Sequence, residues 1–374
     1  ENRRIVVGQL TPVFAGFITH LDSAVLVAAK EIGFAEEDGI ALKLVRESSW
    51  ANIRDRVAVG HFDVAHMLAP MPLAASLNLT SLSVPMLAPM ILGLGGNAIT
   101  VSTELWQEMA ELGSDRSGDP ASTGAALAKV VGRRRTRSKA PFRFGVVHPF
   151  SGHAYELRYW LAAAGIDPDR DVEITVLPPQ LMADALAAGQ LDGYCVGEPW
   201  NTAAVSAGTG RIVTYKQAIW PDSPEKVLGV TRKWAHSSPE TLAALMRAMS
   251  RAADWCADPA NADHLTALLA GSDYLACAPD LCRPALGGNV RLGATTSVAR
   301  PDFLKFSGGL AAAPSPAQGK WFYDQMVRWG QAEFSTAGEA DVLDIFSPAL
   351  YRDALQIDTL PAEKSIRLFD SVLG

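Results

Sequence analysis

Short apolar runs alternate along the chain with stretches in which apolar residues recur at helical spacing. In the first half, runs at residues 4–10, 41–46 and 64–67 predict strands. Segments 23–31, closed by Gly33, and 51–59 predict helices. The pattern returns after the middle of the chain, with strands expected at 144–147, 172–176 and 194–196. Helices are expected between them at 155–164, stopped by Gly165, and at 181–188. From Pro239 the pattern is mainly helical, and 241–258 is its clearest amphipathic stretch. Strands and helices alternating at these lengths argue for parallel sheets covered on both faces, hence an α/β chain. The repetition extends to detail. In both halves a helix closes on a glycine, Gly60 or Gly189, and three residues later an aspartate, Asp63 or Asp192, precedes a strand.

With 374 residues the chain exceeds one ordinary core and fits two lobes. The 48% apolar and 20% charged content is that of a folded domain. A net charge of -7 and the lack of a basic stripe with interleaved aromatics argue against nucleic-acid binding. That charge also repels anions at long range, so any anion site has to be built locally. Residues 67–103 carry no charge, yet Pro70, Pro72, Pro85 and Pro89 interrupt them, and no apolar run reaches the roughly 20 residues of a span. Cys195, Cys256, Cys277 and Cys282 lack the spacing of a zinc site and read as small buried residues, favouring a reducing compartment. The chain opens almost directly on an apolar run, without the pattern of a secretion signal. Segment 113–141, rich in Gly, Ser, Ala, Arg and Lys, reads as a surface insertion whose run from Arg133 to Lys139 is a solvated loop or helix end.

No nucleophile elbow, phosphate loop, zinc-protease helix or dinucleotide fingerprint is present. His148 and His153 lack a third metal ligand nearby. Chemistry concentrates instead just past expected strand ends, where doubly wound sheets bind ligands. Trp50, Asn97, His153 and Gly197 occupy such places. An indole N–H, an amide, an imidazole and a backbone N–H are in-plane donors suited to a small planar anion, and helix starts near Asn52 and His153 add positive dipole ends. Taken singly, each has a plainer reading: core packing for the tryptophan, turn formation for the asparagine, a satisfied surface residue for the histidine.

The ordered motifs Ser49-Trp50-Ala51-Asn52-Ile53-Arg54-Asp55, Gly96-Asn97-Ala98-Ile99-Thr100 and Gly193-Tyr194-Cys195-Val196-Gly197-Glu198-Pro199-Trp200-Asn201 resemble the nitrate- and bicarbonate-binding proteins of ABC importers. Pro224-Glu225-Lys226-Val227-Leu228-Gly229 and Met326-Val327-Arg328-Trp329-Gly330 continue the likeness over nearly the whole chain apart from 113–141. The resemblance implies a type II periplasmic-binding-protein clamp of two doubly wound lobes: residues 1–98 with 213–374, and 99–212. It implies a ligand set of Trp50, Asn97, His153, Gly197 and Lys226, with Lys226 as the countercharge and the others orienting the anion, nitrate or nitrite. Where the nitrate importers show a Gly-Gln pattern this chain has Asn97, a shorter amide.

The same family resemblance includes cytoplasmic sensors that control an RNA-binding antiterminator regulator of nitrate assimilation, of the ANTAR type. The Asn97 form of the motif, the opening of the chain and the cysteines lean toward that sensor. The other expectation is the periplasmic solute-binding subunit of a nitrate, nitrite or bicarbonate importer, whose partner is an ABC permease. No cofactor, metal or catalytic group is expected. An enzyme on the same clamp, a pyrimidine-precursor synthase, would require a cysteine-rich run that is not found.

Overall fold

The structure, a computed structural model, describes residues 10–306, 308–359 and 366–370. The strand expected at 4–10 lies outside the described residues except for Leu10, and the first described strand is β1, Thr11–Phe17. It is followed by β2 Ile40–Arg46, β3 Val64–Leu68, β4 Met86–Gly95, β5 Asn97–Ser102, β6 Phe142–Val146 and β7 Val172–Val176. The remainder are β8 Gly193–Gly197, β9 Gly210–Tyr215, β10 Pro224–Thr231, β11 Asn289–Gly293, β12 Thr296–Ala299 and β13 Leu304–Lys305. Two mixed sheets result. One runs β13-β4-β10-β3-β1-β2 and the other β7-β6-β8-β5-β9, with β11 and β12 forming a separate pair.

The expectation of purely parallel sheets needs correction. β10 runs antiparallel to both β3 and β4, and β5 antiparallel to both β8 and β9. These are the two strands that enter their sheet directly from the other one. A strand arriving across the gap starts at that edge and runs away from it, opposite to strands whose carboxyl ends reach it. The first crossing turns on Gly95 and Gly96, with φ of +75° and +87°, where a side chain is disfavoured. A Cβ on Gly95 would also stand 2.3 Å from the Phe303 carbonyl oxygen. The chain passes from one sheet to the other at Gly96, between β4 and β5, and returns in the segment after Tyr215, between β9 and β10.

The repeated glycine–aspartate pattern has a physical cause. Gly60 and Gly189 have positive φ, and each aspartate grips the neighbouring strand. Asp63 Oδ2 accepts from Phe14 N at 2.9 Å, and Asp192 Oδ2 accepts from Arg143 N at 2.7 Å. Both fix the register of a strand against its sheet partner.

Segment 113–141 is not a surface insertion. Its centre is a helix, Pro120–Thr136, started by the Asp119 side chain accepting from Ser122 N. Thr123, Gly124, Ala126, Leu127, Val130 and Val131 are buried, and Trp160 Nε1 donates to the Pro120 carbonyl. Arg133, Arg134 and Arg135 lie in the last turn, where cations favour the helix dipole. Helix Pro239–Ala257 packs against helix Ala24–Glu31, and helix Pro316–Arg328 reaches the second lobe, where Tyr155 and Phe322 rings lie 6.3 Å apart. The four cysteines are free thiols. Among the described residues no helix is long and apolar enough to cross a membrane.

Candidate functional site

Two serine-capped helices follow the carboxyl ends of β2 and β6, one in each lobe. Ser49 caps helix Trp50–Ala58 by accepting from Asn52 N, and Ser151 caps helix Gly152–Ala163 by accepting from Ala154 N. Trp50 is therefore the first residue of one helix and His153 the second of the other, and both are buried. Between them lie Asn97 and Gly197, which face each other as paired residues of β5 and β8. Register shifts at the start of β10 let the adjacent Glu225 and Lys226 reach the same region; strict alternation would have sent them to opposite faces. The five residues expected from the sequence are thus brought together where the two sheets meet.

Six further residues belong to the cluster and were not singled out from the sequence: His20, Asp22, His66, Glu156, Lys216 and Glu225. His20 and Asp22 lie just past β1, a strand at 11–17 that the apolar pattern had not indicated. His66 in an otherwise apolar β3, and the charged pair Glu225-Lys226 in an apolar β10, were legible signals.

The charged groups form one buried chain. Lys226 Nζ donates to Asp22 Oδ2 at 2.7 Å and to Glu225 Oε1 at 2.9 Å. Lys216 Nζ donates to Glu225 Oε2 at 2.9 Å and to Glu156 Oε1. Asn97 Nδ2 donates to Glu225 Oε2 at 2.7 Å and to Glu156 Oε2 at 3.2 Å, and His66 Nε2 meets Asp22 Oδ1 at 2.9 Å. Gly152 is glycine because a Cβ there would meet Glu225 Oε2 at 2.3 Å.

Two expectations change. Lys226 is not an unmatched countercharge, since two carboxylates already hold its ammonium. Asn97 spends both amide protons on carboxylates and turns Oδ1, an acceptor without a partner in the chain, toward Gly197.

Several buried polar atoms of the cluster lack partners. Among the described residues, nothing hydrogen-bonds to Trp50 Nε1, to either nitrogen of His20, to His66 Nδ1 or to Asn97 Oδ1. Both nitrogens of His153 share that condition, its Nε2 lying 3.4 Å from Glu225 Oε1 without hydrogen-bonding geometry. The rings are grouped: His20 stacks on His153 with centroids 5.9 Å apart, Trp50 lies 5.8 Å from His20 and 5.5 Å from His66, and Lys226 Nζ sits 5.3 Å over the Trp50 ring. A Cβ on Gly197 would stand 2.6 Å from His20 Nδ1, so that position has no room for a side chain.

Burial drives the titration of the cluster. It lowers His20, His66 and His153, the last to about 3, and the neighbouring lysines add to the effect. Burial raises Glu156 to about 7 against the pull of Lys216. Burial also opposes ionisation of Asp22 and Glu225, but Lys226 overrides it and holds both well below the usual range, helped by His66 at Asp22 and by Lys216 at Glu225. His148 stays apart from the cluster, its Nδ1 accepting from Phe150 N. Among the described residues no group of three or more His, Cys, Asp or Glu is placed to hold a metal ion.

Two lobes whose polar residues converge on a buried junction define a two-lobed binding protein of the periplasmic-binding-protein fold. The chain belongs to the NMT1-like family, whose model matches residues 8–270. It is 31% identical to the nitrate/nitrite binding protein NrtA of Synechococcus elongatus, over 97% of this chain and 81% of that protein. It is 34% identical to the nitrate import ATP-binding protein NrtC and 37% identical to the bicarbonate transport ATP-binding protein CmpC, both of Synechocystis. Those matches cover 91% and 85% of this chain, which spans only 49% and 46% of the two proteins' lengths. The crystal structure of the periplasmic nitrate-binding protein NrtA from Synechocystis superposes with a TM-score of 0.85 at 25% identity, covering 95% of this chain and 90% of that one.

Proposed function

We propose that the chain is a clamp that closes its two lobes around a small planar oxyanion, nitrate or nitrite, and that it carries out no catalysis. The observation that carries this reading is the set of unpartnered buried atoms of Trp50, His20 and His153, contributed by both lobes at one place. The indole N–H and one N–H from each imidazole supply directional donors. The first turns of the two serine-capped helices that carry Trp50 and His153 add positive dipole ends. Similarity to proteins named for nitrate, nitrite and bicarbonate supports the anion class. Calorimetric titration with nitrate, nitrite, bicarbonate and sulfate at fixed pH and ionic strength tests it. Binding confined to nitrate or nitrite is the expected result; preference for bicarbonate or sulfate rejects the choice of anion.

For the output we propose a sensor that holds an ANTAR-type, RNA-binding antiterminator regulator until the anion binds. Asn97, the shorter amide where the importers resemble a Gly-Gln pattern, supports that branch. The second reading is a solute-binding subunit of an ABC importer, favoured by the extended likeness to NrtA. The readings differ in the sign of coupling: nitrate releases the regulator in the first and recruits the permease in the second. Co-purification of the regulator without nitrate and its loss on adding nitrate is the sensor result; no capture in either condition returns the chain to the importer reading.

A further inference from the structure

Among the described residues, an anion entering this site meets no unmatched ammonium or guanidinium group. Two ammonium groups, Lys216 and Lys226, are bonded by three carboxylates, Asp22, Glu156 and Glu225. The acceptors already turned inward, His66 Nδ1 and Asn97 Oδ1, add no attraction. Burying an unpaired anion among them is costly unless a positive charge arrives with it. What the site does hold is a stacked pair of imidazoles, one from each lobe, with all four ring nitrogens free of partners within the chain.

We propose that this site binds its anion together with one proton, taken up by the stacked pair His20 and His153, so that the true ligand is an anion plus H⁺. The proposal rests on the anion-binding reading given above. His20 faces Asp22, His66, His153 and Lys226, and His153 faces Glu225, Lys226, Lys216, Asp22 and His20. Glu156 completes the ring of titratable groups through Lys216 and Asn97.

In the absence of anion, burial disfavours the charged form of both imidazoles, with Lys226 adding to it at each and Lys216 at His153. An anion held at their ring nitrogens reverses the balance, since an opposite charge at contact distance favours the imidazolium. The proton gained turns one more ring nitrogen into a donor, and the new cation offsets the anion's charge locally. Because the pair is built from one histidine of each lobe, the charge-assisted contact forms only when the lobes are closed. Proton uptake therefore strengthens closure as well as affinity.

The test is calorimetric titration with sodium nitrate in phosphate, imidazole and Tris buffers across pH 5.5 to 8. The slope of observed enthalpy against buffer ionisation enthalpy counts protons. The expected result is uptake of about one proton and affinity weakening by about tenfold per pH unit. Heat of binding with no proton uptake overturns the inference and leaves the anion reading standing. No heat with nitrate, nitrite, bicarbonate or sulfate overturns both. The paired variants His153→Gln and His20→Gln keep a donor but cannot charge, and in one or both the proton count is expected to fall to zero whatever the residual affinity. Loss of uptake only in Glu156→Gln would place the proton on the carboxylate and overturn the assignment to the imidazoles.

Discussion

Trp50 and Lys226 were expected to share the work of holding the ligand, and their surroundings separate them. Trp50 Nε1 has no partner in the chain, so its hydrogen bond is reserved for whatever enters. Trp50→Phe keeps most of the ring packing and removes that donor. Nitrate affinity should fall about tenfold, the effect of losing roughly one hydrogen bond to a charged group, with little change in unfolding temperature. Lys226 is held by Asp22 and Glu225, and its removal leaves buried Asp22 with His66 alone and takes from Glu225 one of its two ammonium partners. Lys226→Ala should lower stability by about 3–5 kcal/mol, the typical effect of breaking a buried ion pair, as read by urea denaturation in the absence of anion. Unchanged stability would show that the charge chain is not formed. At this scale the sequence pointed to Trp50 and His153, which follow strand ends, and to Gly197, the last residue of β8; of the carboxylates it marked only Glu225, a charge in an apolar strand. A buried carboxylate looks like any other in a sequence, and only the fold brings Asp22, Glu156 and Glu225 to one place.

Elements show the same division between what pattern reveals and what it hides. Helices Trp50–Ala58 and Gly152–Ala163 were legible within a few residues because apolar spacing and serine caps agree. Helix Pro120–Thr136 was missed because its buried stripe is made of small residues and its exposed side of arginines, a composition shared with loops. The signal that was present is Asp119-Pro120, a cap followed by proline in the first turn. Leu127 is fully buried in that helix, so Leu127→Ala should cost about 2–4 kcal/mol in chemical denaturation; a surface insertion would tolerate it freely. Glu198 stands at the start of helix Trp200–Ser206, where its Oε2 accepts from Thr202 N at 3.0 Å. Burial raises its pKa to about 7. A carboxyl whose folded pKa lies above its unfolded value is most favourable when protonated, so its contribution is lost as pH rises from about 4.5 to 7. Glu198→Gln should therefore stabilise the chain more at pH 8 than at pH 5, by a difference on the order of 2 kcal/mol. A pH-independent difference would show that Glu198 is ionised at both.

The whole molecule is two versions of one α/β plan facing each other. The duplicated glycine–aspartate pattern made the two halves visible in the sequence, and the parallel core strands β1, β2, β3, β6, β7 and β8 follow from the alternating elements. The antiparallel strands β5 and β10 were not foreseen, because strand direction depends on where the chain crosses between sheets and leaves no mark on local pattern. Those crossing strands also deliver Asn97 and Lys226, so the connections between the lobes are part of the site itself. Closure would then register directly on the two segments that join the halves. The most direct measurement is a crystal structure of the protein grown with nitrate. The account predicts planar, trigonal density between Trp50 Nε1 and the His20 and His153 rings, against the backbone of Gly197. Anion density only elsewhere, with those donors bonded to water or to one another, would contradict it.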